Sequence, residues 1–270
     1  LGVEVLEETT MNDSWEAGDP YEYYMGRWSK LVAELFVDWL SLPSGLRWLD
    51  VGCGSGALSE AVITKNNLVE VIAIDQSEGF VHIAQQRLGN QAKCKMGDAL
   101  SLPLDDTSVN VSVSGLVLNF LSEPEKALKE MRRVTKKGGT VSVYIWDYAG
   151  RMEFLKYFWD AAVELKPEAL SLHESWRFPD SNADVLKRLF ESAGFVDIET
   201  SSIEITTHFR DFDDYWKPFL GGQGPAPTYV LKLHEAERNN LRDALARRLP
   251  IKEDGSIRLA ARAWAVKGLV

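Results

Sequence analysis

Between residues 48 and 62 the chain reads WLDVGCGSGALSEAV, and no other stretch limits its possible folds as tightly. An apolar run ends in Asp50, and Gly52, Gly54 and Gly56 then alternate over five positions. A helical pattern carrying Leu58, Ala61 and Val62 follows. Alternating glycines let a backbone turn sharply and approach a ligand that Cβ atoms would hold away. Between a strand and a helix, such a loop is the ligand-binding tip of a βαβ unit, which commits its surroundings to a parallel sheet. Two ligand types fit. Gly52, Gly54 and Ala57 satisfy the G-x-G-x-x-G/A spacing of dinucleotide sites, where a helix N-terminus meets a pyrophosphate. Asp50, Gly52, Gly54 and Gly56 also make D-x-G-x-G-x-G, a pattern suited to a nucleoside without phosphate.

Around the loop, strand and helix patterns alternate. From Trp28 to Leu40, apolar residues at 28, 31, 32, 35, 36, 39 and 40 predict an amphipathic helix, which Pro43 and Gly45 end. LRWLDVG reads as a short buried strand and VEVIAID (69–75) as a second, with Ser77 capping a helix that runs to about Leu88. AKCKMGDA gives a weaker strand and SVNVSVSGLVL a stronger one. Ser122 and Glu125 fit a capping box, with Pro124 in the first turn and apolar positions at 127, 128, 131 and 134. Gly138-Gly139 is expected to stop that helix before a fifth strand, TVSVYIW. The alternation predicts an α/β fold, a doubly wound, mostly parallel sheet with helices on both faces. Ligands in such sheets bind beyond the strand C-termini. Asp50–Gly56, Asp75, Gly97–Ala99, Gly115–Asn119 and Trp146–Tyr148 all fall there.

After residue 148 the pattern changes. SNADVLKRLFESAGF reads as a helix capped by Ser181 and ended by Gly194, and FVDIETSSIEITTHF as a strand with a bulge near Ser201-Ser202. IRLAARAWAVKGLV is a further strand. Residues 210–255 between these strands hold GGQGPAP and a helix from about Thr228 to Leu249, in the position of a lid or substrate cover. Three parts are expected: an N-terminal segment and capping helix over 1–44, a core over 45–209 and 256–270, and a helical insertion over 210–255.

Composition narrows the partners. A net charge of −10 over 270 residues argues against gripping nucleic-acid phosphates, and no apolar run reaches the roughly 18–20 residues of a membrane span. Cys53 and Cys94 have neither metal-ligand spacing nor the number for a disulfide framework, so no metal is expected. LGVEVLEETT lacks a basic n-region and does not read as a signal peptide. A cytoplasmic protein with a small-molecule substrate is the expectation, with no nucleic-acid or membrane partner.

Carboxylates beyond the loop discriminate between the ligands. Asp75 stands 19 residues after Gly56 at the tip of the second strand. There a carboxylate can accept hydrogen bonds from both ribose hydroxyls. Asp98 follows the third strand beside Ala99 and Leu100, where it can accept from an exocyclic adenine amine while its small apolar neighbours cover the ring. A dinucleotide site does not require that second acid. In this order and combination the sequence resembles the class I S-adenosylmethionine-dependent methyltransferases. It is most similar to the small-molecule branch that includes ubiquinone- and menaquinone-pathway methyltransferases. LDVGCGSG looks like the family's first motif, IAIDQSEGF like the second, and GDALSLPLDDTSVNVSVSGLVLNFL like the third and fourth. PEKALKEMRRVTKKGGTVSVYIW is similar to the helix and strand that follow. The likeness is dense over about 45–147 and topological over the last two strands.

The resemblance implies a seven-stranded Rossmann-like sheet with an antiparallel last strand, and S-adenosyl-L-methionine as cofactor with S-adenosyl-L-homocysteine as product. Gly52, Gly54 and Gly56 would pass under the methionine part and ribose, with Asp50 organising the amino group. Asp75 and the adjoining Gln76 would take the ribose, Asp98 and Ala99 the adenine, and Ser114 and Leu116 the methionine end. Tyr24 or Arg27 from YEYYMGRWS would meet the cofactor carboxylate, Arg27 the better because a guanidinium binds a carboxylate bidentately. Methyl transfer is an in-line displacement in which a protein chiefly aligns the acceptor and excludes water. No catalytic base stands out; His173, in SLHESWRFPD, is the one candidate, while His82 and His208 read as structural. The aromatics Trp146, Tyr148, Trp176, Phe178, Tyr215, Trp216 and Phe219 would suit an apolar or planar acceptor. Two alternatives stay open: an NAD-dependent oxidoreductase, and a non-catalytic S-adenosylmethionine-binding interaction protein.

Overall fold

Continuous apolar runs mark strands buried on both faces, and β2 (Glu70–Asp75) has that character; β1 (Arg47–Val51) and β4 (Val109–Gly115), whose valines alternate with Asn110, Ser112 and Ser114, are buried along most of their length as well. The computed structural model describes residues 22–66, 70–222 and 224–270. LGVEVLEETT, Val69 and Gln223 therefore lie outside the described residues. With β3 (Lys93–Met96), β5 (Thr135–Trp146), β6 (Val196–Phe209) and β7 (Ile257–Leu269), these strands form one seven-stranded sheet ordered β3-β2-β1-β4-β5-β7-β6. β7 runs antiparallel to both its neighbours, β5 and β6, and every other pairing is parallel. This is the mostly parallel α/β sheet that the sequence pattern predicts.

Two apolar layers sandwich the sheet. The strand pleat sends Trp48, Val71, Val111, Tyr144 and Trp146 to one face and Leu49, Ile72 and Ile145 to the other, which Val109 joins through the irregularity between it and Val111. The first face receives α1 (Arg27–Leu40), α2 (Ala57–Lys65) and α3 (Glu78–Leu88). The second receives α4 (Pro124–Val134), whose Leu128, Met131 and Val134 are buried at helical spacing. Past β5 come α5 (Glu153–Leu165), the short α6 (Glu174–Arg177) and α7 (Ala183–Ser192). The insertion contributes α8 (Phe212–Trp216), α9 (Pro225–Lys232) and α10 (Glu235–Arg248).

Local departures from the sequence expectation have local causes. Pro124 takes the first helical position of α4, so Glu123 rather than Ser122 is the N-cap, and no side-chain cap bond forms. α4 ends at Val134, and β5 begins at Thr135, ahead of Gly138-Gly139 rather than after them. Asn182, not Ser181, caps α7, its Oδ1 accepting from the Val185 N–H at 3.0 Å. The β6 irregularity falls between Val196 and Glu199, where Asp197 has φ +49°, and pairing is continuous through Ser201-Ser202. The single helix expected over 228–249 is two: Leu233 and His234 are extended, and α10 restarts with the Glu237 carboxylate accepting from the His234 backbone N–H at 3.0 Å.

Candidate functional site

The β1–α2 loop is bound to the tip of β2, since the N–H groups of Gly52 and Cys53 both donate to the Ile74 carbonyl, at 2.8 and 2.9 Å. Its glycines do different work. Gly54 has φ +52°, and a Cβ built there meets nothing within 4 Å, so its Cα borders open cavity space. Gly56 has φ +87°, but its Cβ would press on Leu88 and Ala84 of α3. It is small for helix packing, not for ligand approach, and does not line the cavity.

That cavity, about 450 Å³, opens beyond the C-termini of β1, β2, β4 and β5. Six of the expected residues line it: Asp50, Gly52, Gly54, Asp75, Gln76 and Leu116. Asp50 is 2% exposed; its Oδ2 accepts from the Ser59 hydroxyl at 2.7 Å, while Oδ1 has no hydrogen-bond partner among the described residues. Burial, and then the nearby Asp75 charge, push its carboxyl up to about 7. Asp75 Oδ2 accepts from the Gly54 N–H and Oδ1 from the Ser77 N–H, both at 2.9 Å. Burial raises its carboxyl too, against the lowering effect of those donors. An acceptor-only group with an unused, desolvated oxygen calls for a cationic donor, and the amino group of S-adenosyl-L-methionine is one. The donor set and the open face at Gly54 fit that cofactor.

The other expected residues are placed elsewhere. Arg27 is engaged by the insertion: Nη1 donates to Asp214 Oδ1 at 3.1 Å and Nη2 to the Asp214 carbonyl at 3.2 Å, with the guanidinium over the Trp28 and Phe209 rings. Tyr24 packs edge-on against Phe154 and Phe219, on the core side of the helix entry. Met25 and Ser29, one turn apart, face the cavity instead. Ser114 is buried and donates to the Val51 carbonyl at 2.7 Å, holding β4 to β1. Asp98 is exposed and closes its own turn, its Oδ1 accepting from the Leu100 N–H at 2.8 Å; neither it nor Ala99 lines the cavity. His173 is the N-cap of α6, its Nδ1 accepting from the Ser175 N–H at 3.0 Å. Buried against Trp159 with its basicity lowered by that burial, it too is absent from the cavity wall.

Sequence reasoning missed Phe80, Phe120 and Tyr144, which also line the cavity, whereas Cys53 and Val117 fall in the stretches it placed at the rim. For Tyr144 the signal was available: strand alternation puts it on the face of Trp146. Of the aromatic set, Trp146 and Tyr148 are at the cavity, Phe178 packs against Tyr148, and Trp176 is exposed. Tyr215, Trp216 and Phe219 are buried in the main core, where Tyr215 donates to the Phe154 carbonyl and Phe219 stacks on Phe158 of α5. Trp146 is 1% exposed, and its indole N–H has no partner among the described residues. Burial pushes the Cys53 thiol up, which favours its protonated form. Among the described residues no group of three His, Cys, Asp or Glu is arranged to hold a metal.

A charged cluster sits on the loop. Arg87 of α3 donates to Glu22 Oε2 at 2.6 Å and to the Ser55 carbonyl at 2.9 Å, and the Ser55 hydroxyl donates to Glu22 Oε1. Glu22 opens a π-helical turn, Glu22–Gly26, that leads into α1. Its carboxylate stands against Ser55, at the N-terminal end of α2, where a dinucleotide would need room for a pyrophosphate. Arg87 neutralises that carboxylate, so the cluster braces the loop without favouring either ligand.

A family model described as "Methyltransferase domain" matches residues 49–143. The demethylmenaquinone methyltransferase of Staphylococcus carnosus is 33% identical over 181 residues, 60% of this chain and 73% of that protein. Among solved structures, the YcgJ protein of Bacillus subtilis superposes with a TM-score of 0.56 at 16% identity, covering 88% of this chain and 97% of that one. Phosphoethanolamine N-methyltransferase 2 of Haemonchus contortus, solved with S-adenosyl-L-methionine, gives 0.54 at 15% identity over 93% of this chain and 56% of that one. At these identities the two structures establish likeness of fold.

Proposed function

Because the chain belongs to the class I S-adenosylmethionine-dependent methyltransferases, we propose that it transfers the methyl group of S-adenosyl-L-methionine to a small-molecule acceptor. The observation that carries this reading is Asp50, a cavity-lining carboxylate out of water with one oxygen unpartnered among the described residues. The cofactor supplies an electrophilic methyl on a sulfonium. The chain's own residues bind and orient. Asp50 accepts from the cofactor's amino group, Gly54 gives backbone access, and Asp75, fixed by two N–H donors, offers its remaining lone pairs to ribose hydroxyls.

The acceptor end of the cavity is apolar and aromatic, with Leu116, Val117, Phe120, Tyr144, Trp146 and Tyr148. Such walls exclude water and suit a planar, apolar ring, the kind of acceptor for which the S. carnosus relative is named. Trp146 offers an indole N–H to an acceptor oxygen. The 210–255 insertion supports the site from behind, bracing Tyr24 and Arg27 at the entry to α1. The proposal includes a reducing, cytoplasmic setting, supported by two free thiols and a net charge of −10. No described helix is long and apolar enough to cross a membrane.

Labelled-methyl transfer into fractionated metabolite extracts tests the activity. Label in a small molecule is expected. Label only in RNA or protein would overturn the acceptor class. Tight S-adenosyl-L-homocysteine binding with no transfer to any fraction would leave a binding protein without catalysis.

A further inference from the structure

Behind the 3-10 turn Leu118–Phe120 lies a second cavity, of about 210 Å³. That is the share of roughly seven liquid waters. It lies between the C-terminal ends of β4 and β5 and helices α4 and α7. Its walls are mostly apolar, including Leu121, Pro124, Val185 and Leu189. Asn119 is the exception. It lines this cavity, its Oδ1 and Nδ2 are both shielded from solvent, and neither has a hydrogen-bond partner among the described residues. Buried polar side chains are nearly always paired, and an amide that is unpaired at both donor and acceptor is a demand for a matching group. Arg177 and Asp180 also line the cavity. They carry opposite charges, so the formal charge of the lining sums to zero.

The two cavities share a wall of rings. Phe120 and Tyr148 line the first and Phe178 the second, with centroids 5.2 Å apart for Phe120–Phe178 and 5.3 Å for Tyr148–Phe178. We propose that the second cavity is a binding site for a small amphiphile. Its occupant has an apolar body and one uncharged head group that both donates and accepts hydrogen bonds, a primary amide being the simplest. Asn119 pairs with that head group, and the ring wall makes the occupant a neighbour of whatever fills the first cavity. The site's chemistry stands apart from the methyl-transfer reading.

Hexanamide is the probe, titrated into the full chain with and without saturating S-adenosyl-L-homocysteine and followed by calorimetry in every variant and, in the unsubstituted chain, by the Asn119 side-chain amide resonances. Those resonances should shift, and Asn119→Leu, close to isosteric, should weaken binding at least about tenfold while leaving S-adenosyl-L-homocysteine affinity within about twofold. The Asn119→Leu melting temperature should hold or rise; a clear fall would show that the amide is already bonded within the fold and would overturn the site. Val185→Phe fills the cavity without touching Asn119 and should abolish hexanamide binding. Unchanged hexanamide affinity in both variants would refute the proposal. Hexanoate or hexylammonium binding as tightly as hexanamide would refute the neutral head group. Hexanamide binding without S-adenosyl-L-homocysteine binding would leave this site standing and remove the methyltransferase reading; the converse result would do the reverse.

Discussion

Asp50 sets opposite demands on stability and on binding, and Asp50→Asn separates them. Its carboxyl is pushed from an ordinary 3.8 up to about 7, chiefly by burial. Between those values the folded chain holds a proton that the unfolded chain has released. Stability therefore falls as pH rises through that window, and is lowest where Asp50 is ionised in both states. At about 1.4 kcal/mol per pKa unit, the full displacement costs on the order of 4 kcal/mol above pH 7. The asparagine variant escapes that cost, apart from a constant offset for its new amide. Urea unfolding of both proteins from pH 4 to 8 should give a stability difference that moves in favour of the variant by about 1.4 kcal/mol per pH unit and then levels off. Carboxylates remote from Asp50 cancel in that difference, whereas Asp75, which shares its repulsion, moves it in the same direction. Binding should move the other way. Hydrogen bonds to charged groups contribute roughly 1.5–3 kcal/mol, so at pH 8 the variant should bind S-adenosyl-L-homocysteine about 10- to 150-fold more weakly in calorimetry. Wild-type affinity should fall as pH drops below 7. A flat stability difference together with unchanged affinity would refute both the burial argument and the assignment of Asp50 to the amino group.

Further outcomes follow from the placements of other residues. Gly54→Ala forces a Cβ at φ +52° into open cavity space; it should cost about 1–2 kcal/mol of stability and at least about tenfold in S-adenosyl-L-homocysteine affinity, and normal binding would remove Gly54 from the cradle. Arg27→Ala leaves the buried Asp214 carboxylate without its guanidinium. It should lower unfolding free energy by about 1–3 kcal/mol with affinity within about twofold, whereas lost affinity at unchanged stability would return Arg27 to the ligand. His173→Ala removes a helix cap and should cost about 0.5–2 kcal/mol in thermal or urea unfolding while methyl-transfer rate is kept; abolished transfer in a folded variant would make His173 the base after all.

What the sequence made legible was whatever depends on near neighbours in the chain. Apolar runs and their punctuation placed β1 to β7, and the D-x-G-x-G-x-G stretch placed the loop, because strand burial and tight turns are set within a few residues. Arg27 was misjudged because its partner, Asp214, is 187 positions away. Tyr24 and Met25 are adjacent in sequence, so pattern alone could not choose which faces the cavity. Gly56 fits the ligand motif, yet the neighbours that exclude a Cβ there are Ala84 and Leu88 on a different helix. The caps of α4 and α7 each missed by one residue, within the tolerance of any end assignment. The break at Leu233-His234 carried a legible sign, Glu237 at the third position of a new helix, obscured because histidine is not among the usual caps.

The position of β7 has a consequence for how the molecule is made. β6 pairs with β7 alone among the strands, and β7 also seals the open edge of β5. A ribosome delivers β6 some 47 residues before the strand it needs, with the whole insertion between them. β1 to β5, by contrast, can pair with one another without waiting for β7. Among the described residues the lining of the larger cavity ends at Tyr148, so each of those wall residues is synthesised before the sheet can close. The machinery for binding belongs to the early half of the chain, and the late half turns an open-edged sheet into a finished one.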